Sequence, residues 1–204
     1  EDNKLDIIGY DACLNGMIEV AYENKKYADY MLASVTSIPF PGWDYTRFLQ
    51  NLTANPDWDS ETLGKNVVDT YIEFYDICDG VGYSGLNWVG LSLLDLSKVE
   101  ELAVSVNAFA EAFKPIARAP ENKDVIMQAA HAETPMIISM GENFPFVDIG
   151  VFIGRLGEAF PDDLGALADD VLAKLGPVVI VCKYIENEKL GPLITTNGLS
   201  IYFP

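Results

Sequence analysis

The residue whose type and position could carry a reaction in this sequence is Cys13. It follows a short apolar run, residues 5–10, and precedes apolar residues at helical spacing from about residue 17. This order predicts a buried strand, a turn and then a helix around the thiol. Ligands of parallel sheets bind beyond the carboxyl ends of the strands, and a helix amino terminus near a thiol favours the nucleophilic thiolate. The pattern therefore indicates a nucleophilic cysteine at one end of a sheet.

Two interpretations of Cys13 follow from the residues alone. Asn15 and Gly16 favour a tight turn, so that backbone amides could approach a substrate carbonyl and the cysteine would act as a nucleophile. A single cysteine without a paired neighbour is otherwise a small buried apolar side chain. Both interpretations stay open at this point, because the local pattern fits either of them.

Strands and helices alternate along the chain. Short apolar runs predict strands at residues 5–10, 30–35, 88–94 and 199–203. Apolar periodicity predicts helices at residues 17–27, 45–52, 60–77, 97–115, 122–133, 147–156 and 163–175, and leaves residues 178–181 open. A capping box at Ser97 and Glu100 starts the fourth helix, and Pro115 is expected to bend or end it. Alternating strands and helices predict that residues 1–204 form one α/β domain, or part of one, with a largely parallel sheet.

The composition narrows the classes of function. Hydrophobic residues make up 50% of the chain, which is enough for a substantial core and excludes a disordered protein. Thirteen Lys and Arg against 31 Asp and Glu give a net charge of −18, which argues against binding to nucleic acid or an anionic membrane surface. An acidic field attracts basic partners or substrates, although it also serves solubility alone. The longest aliphatic run, residues 178–181, is too short for a membrane span.

The sequence predicts no metal or redox centre built on cysteine. Cys13, Cys78 and Cys182 lie far apart, and no pair has the spacing of a zinc site or a redox pair. A bridge between Cys78 and Cys182 is left open. Acidic residues alternate within residues 57–61 as in a calcium loop, but the glycine and glutamate of such a loop are absent. An acidic loop that caps the following helix is the favoured interpretation.

Several segments together resemble one enzyme family. Residues 6–17, DIIGYDACLNGM, with EVAY at 19–22, resemble the nucleophile segment of the clostripain family of cysteine peptidases. Residues 28–34 and 42–45 are similar to the next strand and loop of that family, and residues 91–98, 146–150 and 198–204 to its later landmarks. The matches are dense over residues 6–45 and sparse but ordered afterwards, which is far more specific than a lone Ala-Cys pair.

This resemblance implies a fold, a reaction and a set of site residues. It implies a caspase-like αβα sandwich with a mostly parallel central sheet, in which Cys13 attacks a peptide carbonyl and forms an acyl-enzyme. It implies cleavage after Arg or Lys, with Asp11 binding the basic side chain and with Ser34 and Thr36 lining the same pocket. A carboxylate suits this role because it can pair bidentately with a guanidinium. The alternative for Asp11 is a turn residue bonded to its own backbone, and Thr36 stands where most members have an acidic residue.

A cysteine peptidase of this type also needs a base for the thiol proton, normally a histidine. The single histidine, His131, lies downstream of Cys13, whereas the catalytic histidine of caspase-like enzymes precedes the cysteine. We therefore expect His131 to be structural and the chain to be the Cys-bearing, heavy-chain-like part of a peptidase domain. The resemblance implies that proteolytic processing separates this part from a His-bearing N-terminal segment or light chain of the same peptidase. The N-terminal strands of the sheet would then be missing from this chain, which would expose an apolar edge or face.

The sequence and the resemblance also lead to expectations about cofactors, partners, localisation and alternative functions. We expect no required cofactor, and calcium is kept only because some clostripain-like enzymes are linked to it. The expected partners are the His-bearing segment and basic peptide or protein substrates, and the family implies a secreted or cell-envelope protein. The alternatives are a non-catalytic caspase-like binding module and a caspase-like protease with a different specificity.

Overall fold

A computed structural model describes residues 4–78, 89–131, 146–185 and 196–203, with the backbone alone for residues 77, 78 and 131. Its strands are β1 (Leu5–Gly9), β2 (Ala28–Ala33), β3 (Val89–Asp95), β4 (Phe146–Asp148), β5 (Val179–Ile185) and β6 (Ser200–Tyr202). Its helices are α1 (Ile18–Asn24), α2 (Tyr45–Ala54), α3 (Ser60–Cys78), α4 (Val99–Arg118), α5 (Lys123–His131), α6 (Ile149–Ala159) and α7 (Ala166–Val178). The residues left open by the sequence are now assigned, since α7 ends at Val178 and β5 begins at the next residue.

The central sheet has the strand order β1-β2-β3-β5. β1 and β2 are parallel, whereas β3 is antiparallel to both β2 and β5. Three of the four strands therefore run in one direction, as a mostly parallel sheet requires, but only the β1–β2 pairing is parallel. The predicted α/β class is confirmed, and the direction of β3 is a difference from the pattern expected from sequence.

The reversed direction of β3 follows from the two helices that precede it. α2 starts at the carboxyl end of β1, where the Tyr45 hydroxyl contacts Asp11. α3 ends at the same end of the sheet, where the Tyr75 hydroxyl donates to the Gly42 carbonyl. A single crossover helix returns the chain to the opposite end and makes the next strand parallel. Two successive helices bring it back to the end it left, so β3 must run antiparallel.

Helices cover both faces of the sheet. On one face α3 packs its buried Val68 and Tyr71 against Leu32 of β2 and Leu93 of β3. Met31 and Leu94, the strand neighbours of those two leucines, belong to the core on the other face, as the two-residue period of a strand requires. That second face is covered by α1, α4, α6 and α7. The result is the three-layered αβα arrangement predicted above.

A small second sheet ties the end of the chain to the loop that contains Cys13. β4 and β6 pair in antiparallel fashion, and Ser200 forms an isolated bridge with Met17. Both the amide and the hydroxyl of Ser200 donate to the Gly16 carbonyl, at 2.8 and 3.0 Å. The strand predicted near the end of the chain is confirmed as β6, and it packs beside residues that follow the cysteine. Among the described helices, none combines the length and apolar character needed to cross a membrane.

Candidate active site

Cys13 lies in the loop that joins β1 to α1, and its side chain is exposed. The interpretation of Cys13 as a buried apolar side chain is therefore wrong. The predicted order of strand, turn and helix around Cys13 is confirmed, since β1 ends at Gly9 and α1 begins at Ile18. The amide that reaches the sulfur comes from another loop: the Ile38 N–H donates to Cys13 Sγ at 3.2 Å. Sequence reasoning missed Ile38, since no local pattern links positions 25 residues apart.

The Cys13 loop extends the pairing of β1 with β2 beyond the two strands. The Leu14 amide donates to the Thr36 carbonyl at 3.0 Å, and the Gly16 amide donates to the Ser34 carbonyl at 2.8 Å. The turn is centred on Leu14, whose φ of 59° lies in the left-handed region, rather than on Asn15 and Gly16. A Cβ on Gly16 would lie 2.8 Å from backbone of the facing segment, so glycine permits this close approach. These contacts fix the backbone on both sides of the thiol.

Asp11 lies two residues before the cysteine, and its carboxylate contacts a distant part of the chain. Oδ2 accepts from the Tyr45 hydroxyl at 2.9 Å and from the Trp43 amide at 3.3 Å. Oδ1 is buried and has no hydrogen-bond partner among the described residues. The interpretation of Asp11 as a turn residue bonded to its own backbone is therefore wrong. A buried carboxylate oxygen without a donor is costly, and a donor group on a bound ligand would satisfy it.

The Tyr45 hydroxyl contacts this carboxylate, and the charge of the carboxylate acts on Tyr71. Burial first, and then the hydrogen bond to Asp11, raise the pKa of Tyr45 above its ordinary value. Burial also raises the pKa of Tyr71, and the charges of Asp11 and Cys13 add to the effect. The Tyr71 hydroxyl and the Trp43 indole nitrogen are buried without a partner among the described residues. The neighbourhood of Asp11 thus holds neutral donors and one unused acceptor.

Ser34 and Thr36 lie at and just beyond the carboxyl end of β2 and are buried. The Ser34 hydroxyl accepts from the Thr36 amide at 3.0 Å, and the two side-chain oxygens lie 3.1 Å apart. Their carbonyls hold the Cys13 loop, as described above. The structure therefore brings both residues to the site through their backbone, and their role in lining a substrate pocket stays a prediction.

The other candidate residues lie away from Cys13 or have structural contacts. His131 is the last residue of α5, and only its backbone is described. Cys182 on β5 is a free thiol, so the bridge to Cys78 is not formed, and burial raises the pKa of that thiol. Asp59 accepts from the Thr62 amide at 2.7 Å at the start of α3, which confirms the capping interpretation of the acidic loop. Within the described ranges, no cluster of His, Cys, Asp and Glu side chains could hold a metal ion.

β1 forms one edge of the described central sheet. It pairs with β2 on one side, and no described strand pairs with its other side. Ile7 and Ile8 of this strand are only half-buried, and Leu5 is 56% exposed. The strand that precedes Cys13 thus has an edge that no described strand covers, and its side chains are partly apolar.

The chain is similar to a known protein family and to several solved structures. The model of the clostripain family, Peptidase_C11, matches residues 1–204. No curated protein matches the sequence.

Three similar solved structures each cover 98% of this chain. One is a B. fragilis cysteine protease, at 20% identity and a TM-score of 0.65, of which the chain covers 79%. Another is a clostripain from Bacteroides thetaiotaomicron in complex with the peptide inhibitor BTN-VLTK-AOMK, at 20% identity, a TM-score of 0.59 and 78% coverage. The third is a secreted C11 cysteine protease from the same organism in complex with an irreversible peptide inhibitor, at 19% identity and a TM-score of 0.62; the chain spans 53% of its length. These similarities confirm the predicted caspase-like fold.

Proposed function

Because the chain belongs to the clostripain family of cysteine peptidases, we propose that it supplies the nucleophile of an endopeptidase that cleaves after arginine or lysine. The observation that carries this proposal is the pairing of two side chains at one end of the sheet. An exposed thiol, Cys13, follows two residues after a half-buried carboxylate, Asp11, whose buried Oδ1 has no donor among the described residues. The first is a nucleophile and the second an acceptor for a basic side chain.

In the proposed reaction the Cys13 thiolate attacks the carbonyl carbon of the scissile peptide bond. The carbon–nitrogen bond then breaks, the amine leaves with a proton from the catalytic imidazolium, and a thioester to Cys13 remains. Water, deprotonated by the same imidazole, hydrolyses the thioester and restores the thiol. The Ile38 amide, 3.2 Å from Sγ, stabilises negative charge on the sulfur before the attack. The Cys13 amide contributes to the oxyanion hole, together with an amide beside the catalytic histidine.

Asp11 binds the basic side chain of the substrate in this proposal. Its buried Oδ1 has no partner among the described residues, so a cation that reaches it forms a charge-assisted hydrogen bond in a place where water competes weakly. The net charge of −18 attracts basic substrates to the same surface. Ser34 and Thr36 support the pocket by holding the loop on which Asp11 and Cys13 lie.

The catalytic histidine comes from a His-bearing N-terminal segment or light chain of the same peptidase. Two observations support this part of the proposal: β1 has an open edge within the described sheet, and the single histidine, His131, ends a helix far along the chain. Proteolytic processing separates the two parts, and the assembled enzyme is secreted or held in the cell envelope, as one relative is described as secreted. Catalysis requires no cofactor, and calcium is the alternative to test by chelation.

The test uses the complete assembly, with the His-bearing part present, and a biotinylated peptidyl acyloxymethylketone that ends in lysine or arginine. We expect covalent labelling of Cys13, no labelling of Cys13→Ala, and undiminished labelling of Cys182→Ala, which removes the other free thiol described. The isolated chain is expected to show no turnover of an arginine amide. Robust turnover that His131→Ala abolishes would contradict the proposed source of the histidine. Failure to label Cys13 in the complete assembly would favour the non-catalytic binding module.

A further inference from the structure

The two oxygens of the Asp11 carboxylate differ in their hydrogen bonds. Oδ2 accepts two donors, the Tyr45 hydroxyl at 2.9 Å and the Trp43 amide at 3.3 Å. Oδ1 is buried and accepts none from the described residues. Each oxygen of an ionised carboxylate has about two acceptor sites. Oδ2 is therefore saturated, and Oδ1 is the oxygen that keeps unused acceptor sites.

Tyr45 is held in this position by the fold. Its ring stacks on Trp43, with 6.3 Å between the ring centroids, and packs against Phe48 at 5.5 Å. It is the first residue of α2, whose amino terminus is capped by the Asp44 side chain. Burial and the contact with Asp11 raise the pKa of Tyr45, so its hydroxyl remains a donor at neutral pH. The Tyr45–Asp11 contact is thus a built part of the site.

We propose that Tyr45 determines which basic side chain of the substrate is preferred, and that it makes the site favour lysine over arginine. This inference rests on the proposed function, in which Asp11 binds the basic side chain. A guanidinium presents a rigid, planar fork of N–H donors that matches two carboxylate oxygens. With Oδ2 saturated, one arm of that fork has no acceptor. An ammonium is a compact charge with rotatable donors, so it can bond to Oδ1 alone.

A competing arrangement makes a different prediction. The Tyr45 hydroxyl could hold Asp11 only in the free enzyme and move away when any basic substrate binds. Removing the hydroxyl would then help lysine and arginine substrates equally. The ratio of kcat/KM for the two substrates separates the arrangements, because a general structural defect changes both values together.

The experiment compares Tyr45→Phe with the unmodified enzyme in the complete assembly, on two peptides that differ only in Lys or Arg at the cleavage site. Phenylalanine keeps the ring and its packing against Trp43 and Phe48, and it frees the acceptor site of Oδ2 that the Tyr45 hydroxyl now occupies. The unmodified enzyme is expected to prefer lysine. Tyr45→Phe is expected to raise the Arg-to-Lys ratio of kcat/KM about tenfold, the size of one hydrogen bond to a charged group, through a lower KM for arginine. Tyr27→Phe, an exposed tyrosine at the opposite end of β2, is the matched control and is expected to leave the ratio unchanged.

Each outcome distinguishes this inference from the proposed function. A preference for arginine in the unmodified enzyme, or an unchanged ratio in Tyr45→Phe, overturns the role of Tyr45 and leaves that of Asp11 intact. Asp11→Asn tests the proposed function separately, because it is expected to reduce cleavage after both basic residues. If Asp11→Asn leaves both cleavages unchanged, the substrate pocket itself is wrongly assigned.

Discussion

Asp11 occupies space that only a glycine at position 42 leaves open. Gly42 has a φ of +72°, and a Cβ placed on it would lie 2.4 Å from Asp11 Oδ2. Leu14, the residue after the nucleophile, also holds a left-handed φ, which costs a non-glycine residue about 1–2 kcal/mol. Both conformations persist because the surrounding contacts impose them, and strained backbone of this kind is found at sites where geometry serves function.

Gly42→Ala is expected to lower kcat/KM for basic substrates about tenfold or more, because the added methyl group displaces the Asp11 carboxylate. Alanine is also strained at the left-handed φ of this position, so the substitution is expected to lower the free energy of unfolding by about 1–3 kcal/mol. Denaturant unfolding and peptide cleavage by the complete assembly measure the two effects. Gly176→Ala in α7 is the matched control, since its added Cβ meets nothing within 4 Å, and it is expected to stabilise the chain by about 1 kcal/mol at most. Equal effects of the two substitutions would contradict the account of Gly42.

Tyr71→Phe is expected to leave the free energy of unfolding at pH 7 unchanged or to raise it by about 1 kcal/mol, since the buried hydroxyl has no partner among the described residues. Burial raises the pKa of Tyr71 above its ordinary value of 10.0, so the folded state favours the neutral hydroxyl. The contribution of this raised pKa to the free energy of unfolding is fully present below pH 10.0 and is lost as the pH rises further. Tyr71→Phe should therefore lose less stability than the unmodified chain between about pH 10 and 11. A loss of about 2 kcal/mol at pH 7 would mean that the hydroxyl has a stabilising partner.

At the scale of the elements, the turn that leads into α4 has a different capping residue from the one that the sequence pattern predicted. The predicted capping box at Ser97 is wrong, because the Ser97 amide and hydroxyl both donate to Asp95. A short 3-10 turn, Leu96–Lys98, then leads into α4. Of the two effects predicted for Pro115, an end of this helix is wrong, since α4 continues to Arg118, and a bend stays a prediction.

Asp148 is a buried polar residue that joins several elements. It ends β4 and is 4% exposed, and its carboxylate accepts four hydrogen bonds. One donor is the Val151 amide at the start of α6, and the others belong to Thr196 and Asn197 just before β6. Because β6 in turn holds the Gly16 carbonyl, this carboxylate supports the loop that contains Cys13.

Asp148→Asn is expected to lower the free energy of unfolding by about 2–3 kcal/mol, because an amide NH₂ group would face donors where an ionised oxygen now accepts. Urea unfolding of the purified chain measures the change. Asp57→Asn, at an exposed position in the loop before α3, is the matched control and should change stability by less than about 0.5 kcal/mol. If the two variants lose the same stability, the Asp148 network does not hold the elements together.

At the scale of the whole molecule, the open edge of β1 and the net charge of −18 have to be considered together. An unpaired strand edge offers backbone donors and acceptors to a further strand. Like charge across the whole chain opposes pairing between two copies, whereas a complementary segment can pair without that repulsion. The edge therefore favours the proposed His-bearing partner over self-association.

Hydrogen exchange tests this assignment of the edge. In the isolated chain, amides of β1 are expected to exchange faster than those of β3, which is paired on both sides. In the complete assembly, peptides that cover Leu5–Gly9 should become protected, while those that cover Val89–Asp95 should change little. Unchanged exchange of β1 in the complete assembly would place the partner elsewhere.

Local patterns in the sequence were sufficient for the class of fold and for the place of Cys13, the proposed nucleophile, after the first strand. Apolar runs and helical periods located β1, α3 and β6, because these patterns record which side of an element is buried. The sequence predicted that Asp11 and Cys13 follow the first strand, and the structure confirms this order. These features depend on neighbours along the chain, so a single sequence contains the information.

Only the tertiary structure decided the contacts that give these residues their environment. Tyr45, Trp43 and Ile38 reach Asp11 and Cys13 from 25 to 34 residues away. The direction of β3 depends likewise on where α3 ends in space. Such contacts are set by the packing of helices on the sheet, and the periodicity of a segment carries no information about which distant loop it will meet.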